Sequence, residues 1–255
     1  MATALITGPT AGIGRAFADK LAIDGYDLVL VARDEGRLKE TAAEIGRLHG
    51  VSCEILAADL TDPEQLALVE QRFKSGPIEV LVNNAGFGQK KPFWANTVEQ
   101  EEEQLDLLVR AVLRLTHAAV LPMIERGSGA VINVSSVAGF FQRGSYSAHK
   151  SWVTNFSAGL AIELHSKGVA VMALCPGFVH TEFHERMGMD KTIIPSFLWL
   201  DATRLVDEAW SDLMRGKAIS IPSRRYKIIV AAVRYIPRTL IARLSTVGLD
   251  GRRRA

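Results

Sequence analysis

The sequence is short of cysteine and has no long hydrophobic run, and each shortage excludes a class of protein. Only two of its 255 residues are cysteine, Cys53 and Cys175. Both lie in apolar, strand-like stretches, so we expect buried thiols in a reducing compartment rather than a disulfide scaffold. No stretch approaches the ~18 apolar residues of a membrane span. The N-terminus also lacks the basic and apolar regions of a signal peptide, so we expect a cytoplasmic protein.

An excess of either charge is also missing. The chain has 30 Lys and Arg against 28 Asp and Glu, a formal net charge of +2. A domain that binds nucleic acid would be clearly basic, so we expect no nucleic-acid partner. The six histidines are scattered, and no cluster has the spacing of metal ligands, so we expect no metal.

Short apolar runs alternate with longer amphipathic ones along the whole chain. The predicted strands are 3–7, 27–31, 52–57, 79–82, 130–134, 169–174 and 218–221. The predicted helices are 13–24, 35–48, 63–73, 98–124, 146–165 and 203–214. This alternation predicts an α/β fold, a doubly wound Rossmann-type domain over residues 1–222. Its seven-stranded sheet should be mostly parallel, with helices on both faces.

A glycine-rich turn links the first predicted strand to the first helix. Glycines there let the backbone approach a pyrophosphate, and the helix N-terminus offers unpaired N–H groups to the anion. The spacing is Gly-x3-Gly-x-Gly rather than the usual Gly-x-Gly-x2-Gly. The predicted nucleotide contacts in this turn are Thr7, Gly8, Thr10, Gly12, Ile13 and Gly14.

Arg33 follows the second predicted strand directly. An acidic residue near this point would hold a ribose 2′-hydroxyl, whereas an arginine suits a 2′-phosphate. Arg33 therefore favours NADP(H) as the cofactor. Asp34 comes next in the chain and keeps NAD(H) possible.

Tyr146 and Lys150 stand four residues apart, shortly after the apolar run at 130–134. In a helix they would share one face. An ammonium beside a phenol lowers the phenol pKa from its usual ~10, which would let Tyr146 act as a general acid or base near neutral pH. On a solvated helix face the same pair would have no function.

These features together resemble the short-chain dehydrogenase/reductase family, in its single-domain branch, over roughly residues 3–221. Five motifs stand in the family's order: the glycine-rich turn, Asp59-Leu60, Asn83-Asn84-Ala85-Gly86, Ser136 before Tyr146-x3-Lys150, and Pro176-Gly177-x3-Thr181. The resemblance implies a catalytic domain that transfers a hydride between a nicotinamide cofactor and a small-molecule carbonyl or alcohol.

The resemblance also implies a role for each motif. Tyr146 would protonate the carbonyl oxygen, Lys150 would lower the phenol pKa and bind the nicotinamide ribose, and Ser136 would bind the substrate oxygen. Ser135 is the adjacent alternative, because only one of the two serines should point into the site. The implied adenosine contacts are Asp59, Leu60, Asn83, Ala85 and Gly86, and the implied nicotinamide contacts are Pro176, Gly177, Val179 and Thr181. A structural turn that stabilises the sheet is the alternative for Asn83 and Gly86.

One position departs from the family pattern. The family often has an Asn on the helix after the fourth strand, where it kinks the helix and holds a water that links the lysine to solvent. Leu108 occupies that place here, and no Asn occurs from 97 to 132. A leucine should do neither task. Another relay, slow turnover, or a silent dinucleotide-binding sensor are the three possible outcomes.

The resemblance implies that the segment after Thr181 closes over the substrate. Its apolar residues predict a lid over a lipophilic molecule, with a small helical subdomain as the alternative: Met187, Met189, Ile193, Ile194, Phe197, Leu198 and Trp199. Phe87, Phe140 and Phe141 could line the same cavity. His180 and His184 are expected at its rim or on the surface.

The tail from 223 to 255 is basic and amphipathic and predicts a helical extension of the same domain. We expect it to support a homo-oligomer, a dimer or tetramer. An intramolecular helix is the second option. Contact with an anionic membrane surface, as in a membrane-peripheral interaction protein, is the third.

Overall fold

The computed structural model describes residues 2–182 and 194–235. Within them, seven strands form one parallel sheet in the order β3-β2-β1-β4-β5-β6-β7. The strands are β1 Thr3–Thr7, β2 Asp27–Ala32, β3 Cys53–Ala57, β4 Val80–Asn83, β5 Gly129–Val134, β6 Val169–Leu174 and β7 Ile219–Ser220. The predicted doubly wound α/β fold is confirmed, and the ends of the predicted strands agree to within one residue.

Helices cover both faces of the sheet. They are α1 Gly12–Ile23, α2 Glu35–His49, α3 Pro63–Arg72, α4 Val98–Leu105, α5 Ala111–Arg126, α6 Gly144–Leu164, α7 Ala202–Met214 and α8 Arg224–Tyr235. The apolar faces of α1, α2 and α7 form one core with the sheet, and those of α3, α5 and α6 form the other. The residues of β2 from Leu28 to Val31 are buried without exception because helices pack on both sides.

The predicted helix 98–124 is interrupted. Its chain forms α4, then a π-helical turn over Asp106–Arg110, then α5, and the Ala111 N–H donates to the Asp106 carbonyl five residues earlier. The expectation that a leucine at 108 leaves this helix regular is therefore wrong. By length and composition alone, Val98–Arg126 is the one helical stretch of the described ranges that could span a membrane. Because α5 packs on β4, β5 and α3, we interpret this stretch as a core helix.

The strand order reverses between β1 and β4, and this reversal opens a crevice at the carboxyl ends of the strands. The glycine-rich turn follows β1 at this edge. Asn83 ends β4, and Ser136 comes two residues after β5. The parallel topology thus brings motifs from distant parts of the sequence to one side of the molecule.

The described part of the basic tail packs on its own subunit. In α8, Tyr226 and Val230 are buried at 3% and 2% exposure, and the Lys227 ammonium lies 2.6 Å from a Glu208 carboxylate oxygen on α7. Residues 223–235 therefore pack within the subunit, and the expected subunit contact stays a prediction. Residues 236–255, which carry most of the remaining arginines, lie outside the described residues.

Candidate active site

The glycine-rich turn leaves no room for side chains where it approaches α1. Gly8 and Gly12 have φ of +67° and +58°, in the left-handed region that glycine adopts freely. A Cβ on Gly14 would lie 2.1 Å from the Gly8 carbonyl oxygen. Ala11, at the N-cap of α1, offers no side-chain acceptor to the first N–H groups of the helix. This bare, glycine-lined helix N-terminus fits the pyrophosphate of a dinucleotide.

The turn is braced from β4. The Asn84 side-chain amide donates to the carbonyl oxygens of Thr7 at 2.9 Å and Gly8 at 3.0 Å. The Thr7 hydroxyl accepts from the backbone N–H groups of Asn84 and Ala85, at 2.9 Å each. Thr7 is thus buried between strands, so its predicted nucleotide contact is left to its backbone and stays a prediction. Asn84 was missed as a site residue because its role depends on the neighbouring strand.

Asn83 also faces the protein interior. Its amide donates to the Asn133 side-chain oxygen at 2.9 Å and to the Thr116 hydroxyl at 3.1 Å. Asn133 in turn donates to the Ser157 hydroxyl at 3.0 Å. The Asn83 side chain therefore supports the structural alternative, because this buried ladder ties β4 to β5, α5 and α6. The predicted adenosine contact is left to the backbone of Asn83 and stays a prediction.

The residues expected around the adenine and ribose lie at the carboxyl ends of β2 and β3. The Asp59 carboxylate accepts from the backbone N–H and the hydroxyl of Thr61, at 2.9 and 2.7 Å. Arg33 lies 3.6 Å from Asp59 and is 64% exposed, so its guanidinium faces solvent. Asp34 accepts from the Arg37 N–H at the N-cap of α2. The Leu60 side chain is in the core, which leaves only its backbone for a nucleotide.

Ser136, Tyr146 and Lys150 meet at the carboxyl end of β5. The Ser136 hydroxyl lies beside the Tyr146 phenol and acts to lower its pKa. The Lys150 ammonium donates to the Val134 carbonyl oxygen at 2.7 Å and lies 5.9 Å from the centre of the Tyr146 ring. Gly139 lets the turn after Ser136 approach the backbone of Lys150, since a Cβ there would lie 2.9 Å from that backbone.

Burial sets the protonation of the pair. It raises the pKa of Tyr146 to about 12, although the hydrogen bond from Ser136 acts in the opposite direction. It lowers the pKa of Lys150 to about 8. In the site as described, desolvation raises the pKa of the phenol, and the Lys150 ammonium is directed at the Val134 carbonyl oxygen. The lowering of this pKa by Lys150 stays a prediction.

The two adjacent serines have different surroundings. The Ser135 hydroxyl is buried, donates to the Lys150 carbonyl oxygen at 2.6 Å, and lies 2.8 Å from the Thr154 hydroxyl. The Ser136 hydroxyl accepts from the Ala138 N–H at 3.1 Å and reaches Tyr146. Ser136 is therefore the serine that shares the site with the phenol.

Leu108 lies at the floor of the site. It is 1% exposed, and a Cβ on Gly86 would lie 2.8 Å from a Leu108 methyl carbon and 4.0 Å from the Lys150 ammonium. The π-helical turn therefore directs a leucine at the position where the family pattern has an amide. Ala85 packs into the core behind this floor.

The loop Pro176–Thr181 lies across from the glycine-rich turn. A Cβ on Gly12 would lie 2.7 Å from the Thr181 methyl carbon, so the two segments are in contact. The Val179 side chain is in the core, and its backbone pairs with Leu200 in an isolated parallel bridge. Pro176 is buried, and its carbonyl oxygen accepts from the Val137 N–H at 2.9 Å. Of the predicted cofactor contacts in this loop, Val179 therefore offers only its backbone to a cofactor.

The expected substrate residues are only partly brought together. His180 stacks on Trp199 with ring centres 4.9 Å apart, and Phe178 lies 5.7 Å from the same ring. Phe197 is 57% exposed and lies under Arg225, 5.9 Å from the guanidinium carbon, so its assignment to the cavity wall is wrong. Phe87, Phe140 and Phe141 are half-buried. Met187, Met189, Ile193 and His184 lie outside the described residues.

Arg37 is a site residue that the sequence did not indicate. Its guanidinium donates to the Thr10 carbonyl oxygen at 3.3 Å and to the Glu182 carboxylate at 3.1 Å. It thereby joins the glycine-rich turn to the residue after Thr181. The Ile13 side chain packs on the core beneath the turn.

Comparisons with known proteins agree with this geometry. A family model described as short chain dehydrogenase matches residues 2–192. The structure of a short-chain dehydrogenase from Sphingobium yanoikuyae in complex with NADPH is 38% identical, with a TM-score of 0.84 over 92% of this chain and 94% of that one. The bulky-bulky ketone specific alcohol dehydrogenase from Comamonas testosteroni is 31% identical, with a TM-score of 0.80 over 93% and 96% of the two chains.

A curated relative is longer than this chain. The very-long-chain 3-oxoacyl-CoA reductase of Anas platyrhynchos is 33% identical over 207 residues. The match covers 77% of this chain but 64% of the reductase.

Proposed function

The chain belongs to the short-chain dehydrogenase family of oxidoreductases, and from that membership we propose that it interconverts a lipophilic carbonyl compound and its alcohol with NADP(H), using Tyr146 as the general acid and base. The observation that carries this proposal is the position of Tyr146 beside the Ser136 hydroxyl, with the buried ammonium of Lys150 on the same helix face. A phenol placed this way has no purpose in packing alone, since a phenylalanine would fill the same space.

The residues divide the chemistry among themselves. A substrate oxygen placed against the hydroxyls of Ser136 and Tyr146 accepts two hydrogen bonds, which stabilise the negative charge that develops there during reduction. Tyr146 then gives its proton to that oxygen, or takes it back in the reverse direction. A bound nicotinamide supplies or accepts the hydride. Because burial keeps the Tyr146 pKa near 12, the phenol holds its proton at neutral pH, which suits the reductive direction.

The preference for NADP(H) is supported by Arg33 and Asp34. The Arg33 guanidinium faces solvent at the end of β2, where the adenosine ribose of a bound dinucleotide would lie. The Asp34 carboxylate is engaged in capping α2, so it does not occupy the place of an acid that holds a 2′-hydroxyl. The NADPH complex of the Sphingobium relative is consistent with this choice.

A lipophilic substrate is supported by the aromatic group beside the site. Within the loop that contains Gly177, His180 stacks on Trp199 and Phe178 lies tilted against the same ring. Two relatives carry names that refer to bulky ketones and to very-long-chain acyl compounds. We propose a ketone with at least one large apolar substituent.

A silent dinucleotide-binding sensor is the rival that Leu108 suggested. Such a sensor has no need of Ser136, Tyr146 and Lys150, and these three residues stand together in the structure. The enzyme is therefore the better-supported function. Self-association through the tail 223–255 stays a prediction, which the mass in solution of chains truncated after 222 and after 235 would test.

The decisive experiment measures NADPH oxidation across aliphatic, aryl and steroid-like ketones, with Tyr146→Phe as the matched variant. We expect turnover by the native chain and a loss of at least about 100-fold in the variant, since a positioned proton donor contributes ~10²–10⁴ in rate. NADPH binding should survive in the variant. Undiminished turnover by Tyr146→Phe would refute the mechanism, and a native chain that binds no NADPH would refute the function.

A further inference from the structure

Tyr226, on the C-terminal helix, contacts the loop that faces the cofactor. Its hydroxyl accepts a hydrogen bond from the Phe178 backbone N–H at 3.0 Å and donates to the Leu198 carbonyl oxygen at 2.7 Å. The phenol thus bridges two segments that also meet through backbone pairing, at Leu200 N to Phe178 O and His180 N to Leu200 O, and through the ring of Trp199. The Tyr226 side chain therefore holds both the Pro176–Thr181 loop and the segment that contains Trp199.

The ring of Tyr226 also fixes the loop from behind. A Cβ on Gly177 would lie 1.9 Å from the carbon of Tyr226 that bears the hydroxyl. Only a glycine lets the loop backbone rest on the ring at this distance. The requirement for glycine at 177 therefore comes from α8 as well as from any ligand on the opposite side.

The helix that carries Tyr226 is anchored independently. Glu208 on α7 accepts from the Ser223 backbone N–H at 3.0 Å and from the Lys227 ammonium at 2.6 Å. Val230, one turn further along α8, is buried in the same contact. Tyr226 therefore lies on a helix that is held against α7.

We propose that Tyr226 is a positioning residue for the nicotinamide half of the cofactor. It holds the Pro176–Thr181 loop against that half of the dinucleotide and holds Trp199 beside it. The inference rests on the proposed function, since it needs a nicotinamide dinucleotide in the crevice. The adenosine half lies against β2 and β3, and Tyr226 does not contact the end of either strand. The affinity for the adenosine half should therefore not depend on Tyr226.

The test uses two probes, NADPH and 2′,5′-ADP, which contains the adenosine half alone. Tyr226→Phe removes both hydrogen bonds and keeps the ring on Gly177. We expect its Kd for NADPH to rise about tenfold, as for the loss of one to two net hydrogen bonds, and its Kd for 2′,5′-ADP to stay unchanged. Ile228→Ala is the control, because Ile228 is exposed on α8 and its loss touches neither hydrogen bond. It should leave the ratio of the two affinities at the native value.

A measurement on the native chain needs no variant. Because coupling between two sites is reciprocal, NADPH should slow hydrogen exchange in α8, and 2′,5′-ADP should not. Equal NADPH affinity in the native chain and Tyr226→Phe, an equal loss for both probes, or a changed ratio in Ile228→Ala would each overturn the inference while leaving the proposed function intact. A native chain that binds 2′,5′-ADP and NADPH equally weakly would overturn the proposed function and the inference with it.

Discussion

The ammonium of Lys150 donates to the Val134 carbonyl oxygen across 2.7 Å, at the point where β5 ends. Lys150 is 6% exposed, so its charge is held almost entirely by this part of the protein rather than by water. The bond places the ammonium between the strand end and the Tyr146 ring, and the cost of its desolvation shows in its pKa of about 8.

This lowered pKa predicts a pH dependence of stability. Between about pH 8 and 10.5 the unfolded chain holds a proton on Lys150 that the folded chain has lost, so the free energy of unfolding should rise with pH, by at most ~1.4 kcal/mol per pH unit. Urea unfolding of the native chain and of Lys150→Met should show this rise only in the native chain. The exposed Lys167→Met is the control. A difference curve that is flat from pH 8 to 10.5 would contradict the lowered pKa.

The adjacent serines should separate catalysis from stability. Ser136→Ala removes a donor to the substrate oxygen and should lower kcat by about 100-fold with little change in Tm. Ser135→Ala removes one of two buried hydroxyl donors to the Lys150 carbonyl oxygen, the other being Thr154, and should cost about 0.5–1.5 kcal/mol in unfolding free energy. Steady-state rates and thermal unfolding of both variants check this. The reverse pattern would show that Ser135 is the substrate-side serine.

Arg33 should decide between the two cofactors. Arg33→Ala should raise KM for NADPH about 10- to 100-fold, as expected for losing a charge-assisted contact of ~1.5–3 kcal/mol, and leave KM for NADH nearly unchanged. Lys39→Ala is the matched control, because Lys39 is equally exposed and pairs only with Glu35 on the same helix. A native preference for NADH would defeat the assignment of the 2′-phosphate to Arg33.

Leu108→Asn tests the departure from the family pattern. An amide at this buried place beside Gly86 should cost about 1–3 kcal/mol in stability, because it must be desolvated. If the position belongs to the proton path to Lys150, the pH profile of kcat should shift as well. Leu108→Met keeps the volume and the apolar character and should move neither quantity by much. An unaltered profile in Leu108→Asn would show that the proton reaches Tyr146 without this position.

The strands could be predicted closely because each is a short run of apolar residues buried on both faces, and such runs have sharp ends in the sequence. The π-helical turn could not be predicted from the sequence. One extra residue within 106–110 does not disturb an amphipathic pattern enough to be seen, and a leucine gives no local signal for it.

The order of the motifs along the sequence predicted which segments form the site. It could not predict the direction of each side chain. The amide of Asn83 has partners on α5 and β5, and Thr7 has partners after β4, so their directions depend on chain neighbours far away in sequence. The pKa of Tyr146 depends on burial, which spacing does not reveal. Tyr226 lies 48 residues after its partner Phe178. The basic residues around it indicate a surface helix and give no signal of a buried contact.

The π-helical turn has a geometric consequence for the helix it divides. Each residue of an α-helix advances the side-chain direction by about 100°, so the added residue changes the rotational phase of α4 relative to α5. This phase change lets Gln104 face the Phe87 carbonyl oxygen over the crevice, while Leu115, Ala119 and Met123 face the sheet. Removing one residue from 106–110 would leave a regular helix in which either α4 or α5 turns the wrong face to the protein core. The number of residues in this turn therefore matters as much as their identity.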